Sequence, residues 1–543
     1  MKLLLIVLAL VCIKPGLKAQ DLSNKGKDFW IGYGNHVRMF NGGNQLEAMQ
    51  LYITSDVNTT GTVSIASIGF SQSYTITANQ ITTIDIPRTA ALMDHGLFDH
   101  GIHVTAAKPV VVYSFIYVNA QSGATVCLPT NTLGREYYSV NFDQISNEAN
   151  SASYFFVVAA DTGTTTVEIT PSANTKGGQP AGVPFLITLK QGQIYQVLGT
   201  TSNNTGVDLT GSKIRSINTG AGCKRIGVYC GSGKIAIGCN GPGSSDNLYQ
   251  QMYPTSTWGK KYITLPGMVN SFNYFRIAKS DPSATVSLNG SIIPSSQFTN
   301  GFYYQFINNQ TNVIESDKPI LVAQYFTTQG CAGNGSPGDP EMIYLNPVEQ
   351  TINSVTLNSM QPTTGTNITQ HYLNVVLKND AASIGSFKID GVAYTGFTAV
   401  PNDNGYVYAR ISTTKGSHNI TCDTGFNIIA YGLGNAESYG YSGGTNLKDL
   451  YQFASVKNQF ATVAFPATCT DAPFEFSMTF PYQPLKIEWK FNGLFPDEVI
   501  TTPVADSTWF VNGRQLYRYK IPKTYLGPPV GIYPIKIFAE NPM

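Results

Sequence analysis

CLPTNTLGREYYSV at residues 127–140 returns as MYPTSTWGKKYITL at residues 252–265. Pro129 and Pro254, Gly134 and Gly259, and Tyr137 and Tyr262 all keep one interval of 125 residues, with Thr residues matching between them. A weaker copy, GDPEMIYLNPVEQ at 338–350, contributes Pro347. Repetition at domain spacing marks an array of one supersecondary unit. Such arrays bury apolar faces between copies and leave loops exposed, so they more often bind than catalyse.

The rest of each unit recurs around this block. SYFFVVAAD, NYFRIAKSD and HYLNVVLKND begin at Ser153, Asn273 and His371, with a looser copy at 46–54. TVSI, TVEI, TVSL and SFKI follow at Thr62, Thr166, Thr285 and Ser386. GQIYQV, GFYYQF and GYVYARI start at Gly192, Gly301 and Gly405. KPVVVYSF, KRIGVYCG, KPILVAQY and GFNIIAYG then start at Lys108, Lys224, Lys318 and Gly425. The pattern predicts four units at about 20–150, 151–269, 270–367 and 368–455. Alternation such as Thr62-Val63-Ser64-Ile65 is that of antiparallel strands with one buried face. Asn289-Gly290, Asp390-Gly391 and Asn404-Gly405 supply tight turns. Pro109 and Pro319 open their strands, where a missing N–H is tolerated. The apolar run at 110–118 predicts a strand buried on both faces, and it is too short for the ~20 residues a membrane helix needs. Helical periodicity is almost absent.

Composition narrows the class. Only 12% of the 543 residues are charged, while Gly numbers 52 and Tyr 31; a typical globular chain carries about 25% charge. The net charge is +1 with no basic cluster, so nucleic-acid binding lacks electrostatic support. Lys2, the apolar run 3–11 and Ala19 before Gln20 read as a signal peptide over 1–19. Cys12 raises a lipoprotein reading, but the bulky Val11 before it breaks the usual small-residue rule. No later segment predicts a membrane anchor, and the end at Asn541-Pro542-Met543 suggests that the parent polypeptide runs on. The expected location is exported: secreted or on the outer cell surface.

Seven cysteines follow Cys12: Cys127, Cys223, Cys230, Cys239, Cys331, Cys422 and Cys469. A hairpin of 225–230 with 234–239 around Gly231 and Gly233 would bring Cys223 and Cys239 together for a disulfide; otherwise these are small buried apolar residues. Zinc has little support without a C-x-x-C.

From about residue 456 the pattern changes to FEFSMTF, LKIEWKFNG, QLYRYKI and GIYPIKIFAENP. Short strands around Trp489 predict an Ig-like β-sandwich over 456–543. Trp489, Phe491, Gly493 and Tyr533 make this segment resemble the PKD-type Ig-like modules of bacterial surface proteins, although the acidic residue usual beside that Gly is missing. The repeats carry a second resemblance. Phe29-Trp30, Lys108-Pro109, Leu128-Pro129, Leu133-Gly134 and Tyr137-Tyr138, echoed by Pro254, Gly259, Tyr262, Lys318, Pro319 and Pro347, look like the N-terminal domain family of the IgG Fc-binding protein over 25–455. That family occurs in animal mucus proteins and in large bacterial surface proteins. The resemblance implies extracellular binding or adhesion. It carries over no catalytic residue and no Fc-contact residue.

Chemical motifs are sparse. Gly440-Tyr441-Ser442-Gly443-Gly444 matches G-x-S-x-G, but no His follows Ser442, and a nucleophile elbow needs one; a turn is the better reading. His95, His100 and His103 with Asp94 and Asp99 lack metal-ligand spacing and read as loop and strand-start residues. Asp246 and Asp339 precede Pro-bearing blocks; turn capping explains them better than calcium. Exposed aromatics would make a contact patch, but alternation sends most Tyr and Trp into cores.

The expected architecture is all-β. Each unit has about six to eight short strands, enough for two propeller blades, so a β-propeller-like ring of seven or eight blades closed by a strand near 29–33 is favoured, with tandem β-sandwiches as the alternative. The expected function is a non-enzymatic adhesin-like protein recognising extracellular glycoprotein, mucin or matrix ligands, without cofactor, metal or nucleic acid. The alternative is an extracellular hydrolase of glycans or peptides, which requires converging carboxylates in one pocket.

Overall fold

The computed structural model describes residues 22–40, 47–217, 224–238, 243–269, 273–331, 337–360, 368–448, 451–458, 462–463, 473–511, 514–529, 533 and 535–540. Among these the protein is all-β; the described helices are Val37–Phe40, Ala381–Ser386 and a few 3-10 turns.

Each repeat unit is a pair of small sheets sharing one long strand. In the first unit that strand is Ile102–Val118. Its first half lies between Gly26–Ile31 and Thr59–Ile65, with Phe70–Ile76 outermost. Its second half lies between Glu47–Thr54 and Gln121–Cys127, with Ile81–Asp85 outermost. The same seven positions recur around Lys213–Ile217 and Ile226–Ile235, around Asn312–Phe326, and around Gly416–Gly434. The apolar run 110–118 is buried throughout, as a strand covered on both faces must be.

Where the long strand passes between sheets, its register slips. Gly26 faces Val110 while Asp28 faces Thr105, and the same jump falls between Gly259 and Lys261 and between Ile352 and Ser354. Lys108-Pro109 and Lys318-Pro319 occupy this corner, where proline interrupts no ladder bond. Val110, Ile226, Ile320 and Phe426 face Gly26, Gly134, Gly259 and Ile352. Lys108, Lys224 and Lys318 are therefore equivalent, and the fourth member is Thr424, one residue before the expected Gly425.

Two expectations need correction. A propeller blade is one sheet in meander order, whereas here the first, third and fourth strands of a unit build on one half of the long strand and the second, fifth and last on the other; the described sheets are not the expected blades. The unit boundaries also move. Gly259–Thr264 and Ile352–Ser359 pair with the long strands that follow them, and Glu136–Tyr138 pairs with Lys213–Ile217. Each therefore opens the next unit, and the divisions fall at the Pro-bearing blocks rather than near 150, 269 and 367.

The four last strands, Gln121–Cys127, Asp246–Gln251, Glu341–Tyr344 and Glu437–Ser442, pack in cyclic order, the fourth returning to the first. The strand Gly26–Ile31 stays inside its own unit and closes nothing. Closure comes from the residues before it: Asn24 N–H donates to the Thr445 carbonyl at 3.0 Å, and Leu447 N–H to that of Leu22 at 2.6 Å.

This geometry explains the repeated block. Pro129, Pro254 and Pro347 lie over Gly26, Gly134 and Gly259, where an added Cβ would sit 2.1, 2.4 and 2.2 Å from the proline Cβ; no larger residue fits. Gly134 N–H donates to the Tyr137 hydroxyl, which donates to the Ile226 carbonyl, both at 2.7 Å. Gly259, Tyr262 and Ile320 repeat that relay at 3.2 and 2.6 Å. The Thr132 and Thr257 hydroxyls hold the carbonyls of Pro129 and Pro254 at 2.9 Å each. Phe29 takes the Tyr place in the first unit, fully buried.

The C-terminal module has two sheets of its own, one built on Pro473–Phe480 and the other on Lys486–Lys490. Its core gathers Phe476, Trp489, Phe491, Ile521 and Tyr525. It begins earlier than 456, because Phe453–Asn458 pairs with Pro473–Phe480. Tyr533 is exposed and stays out of the core; Lys536–Glu540 is the strand that closes on Lys486–Lys490.

Candidate functional site

The last strands enter the hub in one register. Cys127 faces Val112, and the amides of Met252, Leu345 and Gly443 donate to the carbonyls of Val228, Val322 and Ile428. Counting back six residues from each reaches Gln121, Asp246, Asp339 and Glu437. Glu341 joins them from the third strand. All four acids are fully buried and Gln121 is nearly so.

Their electrostatics follow from that burial. Desolvation, and then the neighbouring Glu437, Asp339 and Glu341, push Asp246 well above the carboxylate range. Desolvation pushes Glu341 well above it too, against the pull of the Met342 and Gly440 amides. Asp339 rises to about 7 and Glu437 to about 8, again from burial first. Burial disfavours the charged form of every one of these carboxyls, and at Asp246 and Glu437 the neighbouring acids add like-charge repulsion to it. The hydrogen bonds tie the strands together. Asp246 accepts from the Ser122 amide and, at 2.7 Å, from its neighbour Asn247. Asp339 accepts from Ser244 at 2.6 Å and from the Gln329 amide at 3.1 Å. Glu341 accepts from the Gly440 amide at 2.9 Å. Gln250 donates to the carbonyls of Ala124 and Gly440, at 2.6 and 2.8 Å, and so stitches three strands at once. Lys234, 3% exposed, flanks the hub and pairs with Glu148 at 3.1 Å.

A second charged seam joins the second and third units. Arg276 is fully buried between the rings of Phe142 and Tyr303. It donates to Asp208 at 2.6 Å and to Asp143 at 3.0 Å, and to the Asn141 carbonyl at 2.9 Å.

The other sequence candidates scatter. Ser442 ends a hub strand and accepts from Asn346 at 2.7 Å; no described hydrogen bond links it to a histidine. His103 stacks on Trp30 at 4.1 Å and pairs with Asp28 at 2.7 Å. His95 instead meets Tyr195 and the Leu198 amide, each at 3.2 Å, and His100 packs near Phe98. Among the described residues no group of three or more His, Cys, Asp or Glu is disposed to hold a metal. The hairpin expected to join Cys223 to Cys239 is not formed: Ile226–Ile235 is one continuous strand. The two cysteines themselves lie outside the described residues. Cys331 is disulfide-bonded to a partner that also lies outside them, while Cys127, Cys230 and Cys422 are free and buried. Asp246 and Asp339 were legible as paired positions; Glu341, Glu437 and Gln121 were not. The signal that finds Gln121 and Glu437 is the last-strand register, which recurs at unequal intervals and with different residue types.

A model of the family described as IgGFc binding protein matches residues 123–432, more than half of the chain. The match starts in the first hub strand and ends in the last long strand, inside the 25–455 expected. No curated protein matches. Among solved structures, the crystal structure of Down Syndrome Cell Adhesion Molecule (DSCAM) isoform 1.30.30, N-terminal eight Ig domains, aligns at 10% identity over 95% of this chain and 84% of that one, with a TM-score of 0.11. A score so low carries no argument about fold. No described helix is long and apolar enough to cross a membrane.

Proposed function

The chain belongs to the IgGFc binding protein family, and from that membership we propose that it is an exported, non-enzymatic binding protein, adhesin-like, that engages extracellular glycoprotein, mucin or matrix ligands through the rim of its sandwich ring. The family match carries this reading. An immunoglobulin Fc region is one glycoprotein ligand that the family description names. The leader pattern at 1–19 and the disulfide at Cys331 fit an oxidising compartment outside the cell. We read the C-terminal sandwich as the PKD-type, Ig-like spacer of a bacterial surface protein.

The non-enzymatic part of the proposal draws on the hub. Carboxyls with raised proton affinity are what a hydrolase needs, and the described residues include four. Each is fully buried, so no substrate bond reaches them. The experiment is capture of the purified full chain on immobilised mucin, immunoglobulin Fc and matrix glycoprotein, with each eluate scanned for cleavage. Saturable retention with intact ligand is expected. Cleaved glycan or peptide, or no retention on any of the three, sinks the proposal.

A further inference from the structure

The second and third units treat the same sheet edge in opposite ways. The fifth strand of each unit lies beside the second: Ile81–Asp85, Ile194–Leu198, Tyr303–Asn308 and Asp403–Thr413. The first carries a charge where an added strand would lie, Asp85, and such charges discourage edge pairing; in the fourth unit Thr398–Val400 pairs on the outer side of Asp403, Val407 and Tyr408. The second and third carry no charge.

The chain covers the uncharged edge of the second unit itself. Gly96–Phe98, an excursion from the first unit, pairs along Ile194, Tyr195 and Gln196. Beyond it, the Leu198 amide donates to the His95 ring and the Leu198 carbonyl accepts from Lys176. Tyr195 and Tyr304 are equivalent, since they face Val157 and Ile277 at matching points of the second strands. Gln305 and Ile307 are then the counterparts of Gln196 and Leu198.

In the third unit that cover is missing among the described residues. Thr299 exchanges both backbone bonds with Tyr303, at 2.7 and 3.2 Å, and pairing stops there. The Phe302 carbonyl points inward to Lys279, so alternate residues Tyr303, Gln305 and Ile307 direct their backbone groups outward. Ile307 is 50% exposed and Tyr304 and Phe306 are half-buried. Phe306 continues an aromatic row with Tyr304 and Phe298.

We propose that the open edge at Gln305–Asn308 is a docking site for an extended, uncharged strand of a partner polypeptide, bound by sheet addition as Gly96–Phe98 is bound to the sister edge. Backbone bonds to Gln305 and Ile307 supply the pairing, and alternate apolar side chains of the partner extend the row of Tyr304 and Phe306. This names one surface for the binding role and rests on that reading.

The test uses the full chain and a fluorescein-labelled peptide of alternating Thr and Val capped with Lys. Its control is the same peptide N-methylated at alternate backbone amides. Anisotropy should show binding of the first and not of the second. Ile307→Pro removes an outward N–H that no described strand uses, and so leaves the inner ladder whole; Ile307→Lys adds a gatekeeping charge. Both should weaken peptide binding by about tenfold or more, with an unchanged circular dichroism spectrum. Equal binding to both peptides, or binding that survives both substitutions, overturns the site. So does dimerisation of the chain that Ile307→Lys abolishes while peptide is ignored, since the occupant is then a second copy. Peptide binding lost while mucin or Fc capture persists removes this edge and leaves the broader function standing.

Discussion

The hub and the rim of this ring are made from the same strands and obey opposite rules. At the hub, the last strands of the four units pack on one another, and four acids that would normally sit in water are buried with raised proton affinity. At the rim, each unit manages the edge of its fifth strand differently: a charge at Asp85 in the first, the borrowed strand Gly96–Phe98 in the second, no described cover beyond Thr299 in the third, and Thr398–Val400 in the fourth. The inner surface is thus constrained by the units on either side, while the outer surface varies freely between copies. A repeat protein places its specificity where the copies are allowed to differ.

The largest expected effect breaks an inner seam. Arg276→Met leaves Asp208, 15% exposed, beside an apolar side chain; losing one partner of a fully buried pair costs about 3–5 kcal/mol, and the partial exposure of Asp208 sets the expected loss near the lower end, about 3 kcal/mol. Chemical denaturation should show the loss, and a cost below ~1 kcal/mol would mean the seam is not held by charge.

The hub predicts a pH dependence. Asp339 and Glu437 have folded values of about 7 and 8, raised from ordinary carboxylate values. Stability from a raised acid is complete below its unfolded value, near 4, and is lost as pH climbs to the folded one. The thermal midpoint should therefore fall between about pH 5 and 8, with each carboxyl contributing about 1.4 kcal/mol per pH unit within its window. Glu437→Gln should flatten part of that slope. A midpoint that rises over the same range contradicts a protonated hub. Asp281, lowered to about 2 despite desolvation by its bonds to Lys318 and Ser283, acts oppositely but only below pH 4.

A smaller effect probes the repeated block. Gly259→Ala places a methyl 2.2 Å from the Pro347 Cβ, an overpacking that costs about 1–3 kcal/mol. The same substitution at Gly290, where nothing lies within 4 Å but φ is +81°, separates backbone strain from collision when the two melting points are compared. The smallest effect is at the rim: Ile307→Lys should change stability by no more than about 0.5 kcal/mol. A larger loss would show that the edge is already packed.

Much of the array could be read from the chain alone. The recurrence of Pro129, Gly134 and Tyr137 at Pro254, Gly259 and Tyr262 reflects a physical unit, proline over glycine with a tyrosine relay, and so survives as a literal spacing. Its place in the unit was harder to see. The Pro belongs to the end of one sandwich and the Gly that follows it to the start of the next, so a contiguous block of sequence straddles the joint. The sandwich pairing itself is non-local: nothing in 102–118 announces that one strand serves two sheets, although Lys108-Pro109 marks the bend. The hub was illegible for a different reason. Gln121, Asp246, Asp339 and Glu437 differ in type and interval, and only their backbone register makes them one set.

The clasp between 22–24 and 445–447 also sets an order of events. The ribosome delivers one half of this joint more than four hundred residues before the other, so an emerging polypeptide spends most of its synthesis as an open arc. Joining segments so far apart in the chain is entropically slow. The arc's first sandwich must wait with its terminal seam unsealed until the fourth has assembled, which makes completion of the circle the natural checkpoint between nascent and mature protein.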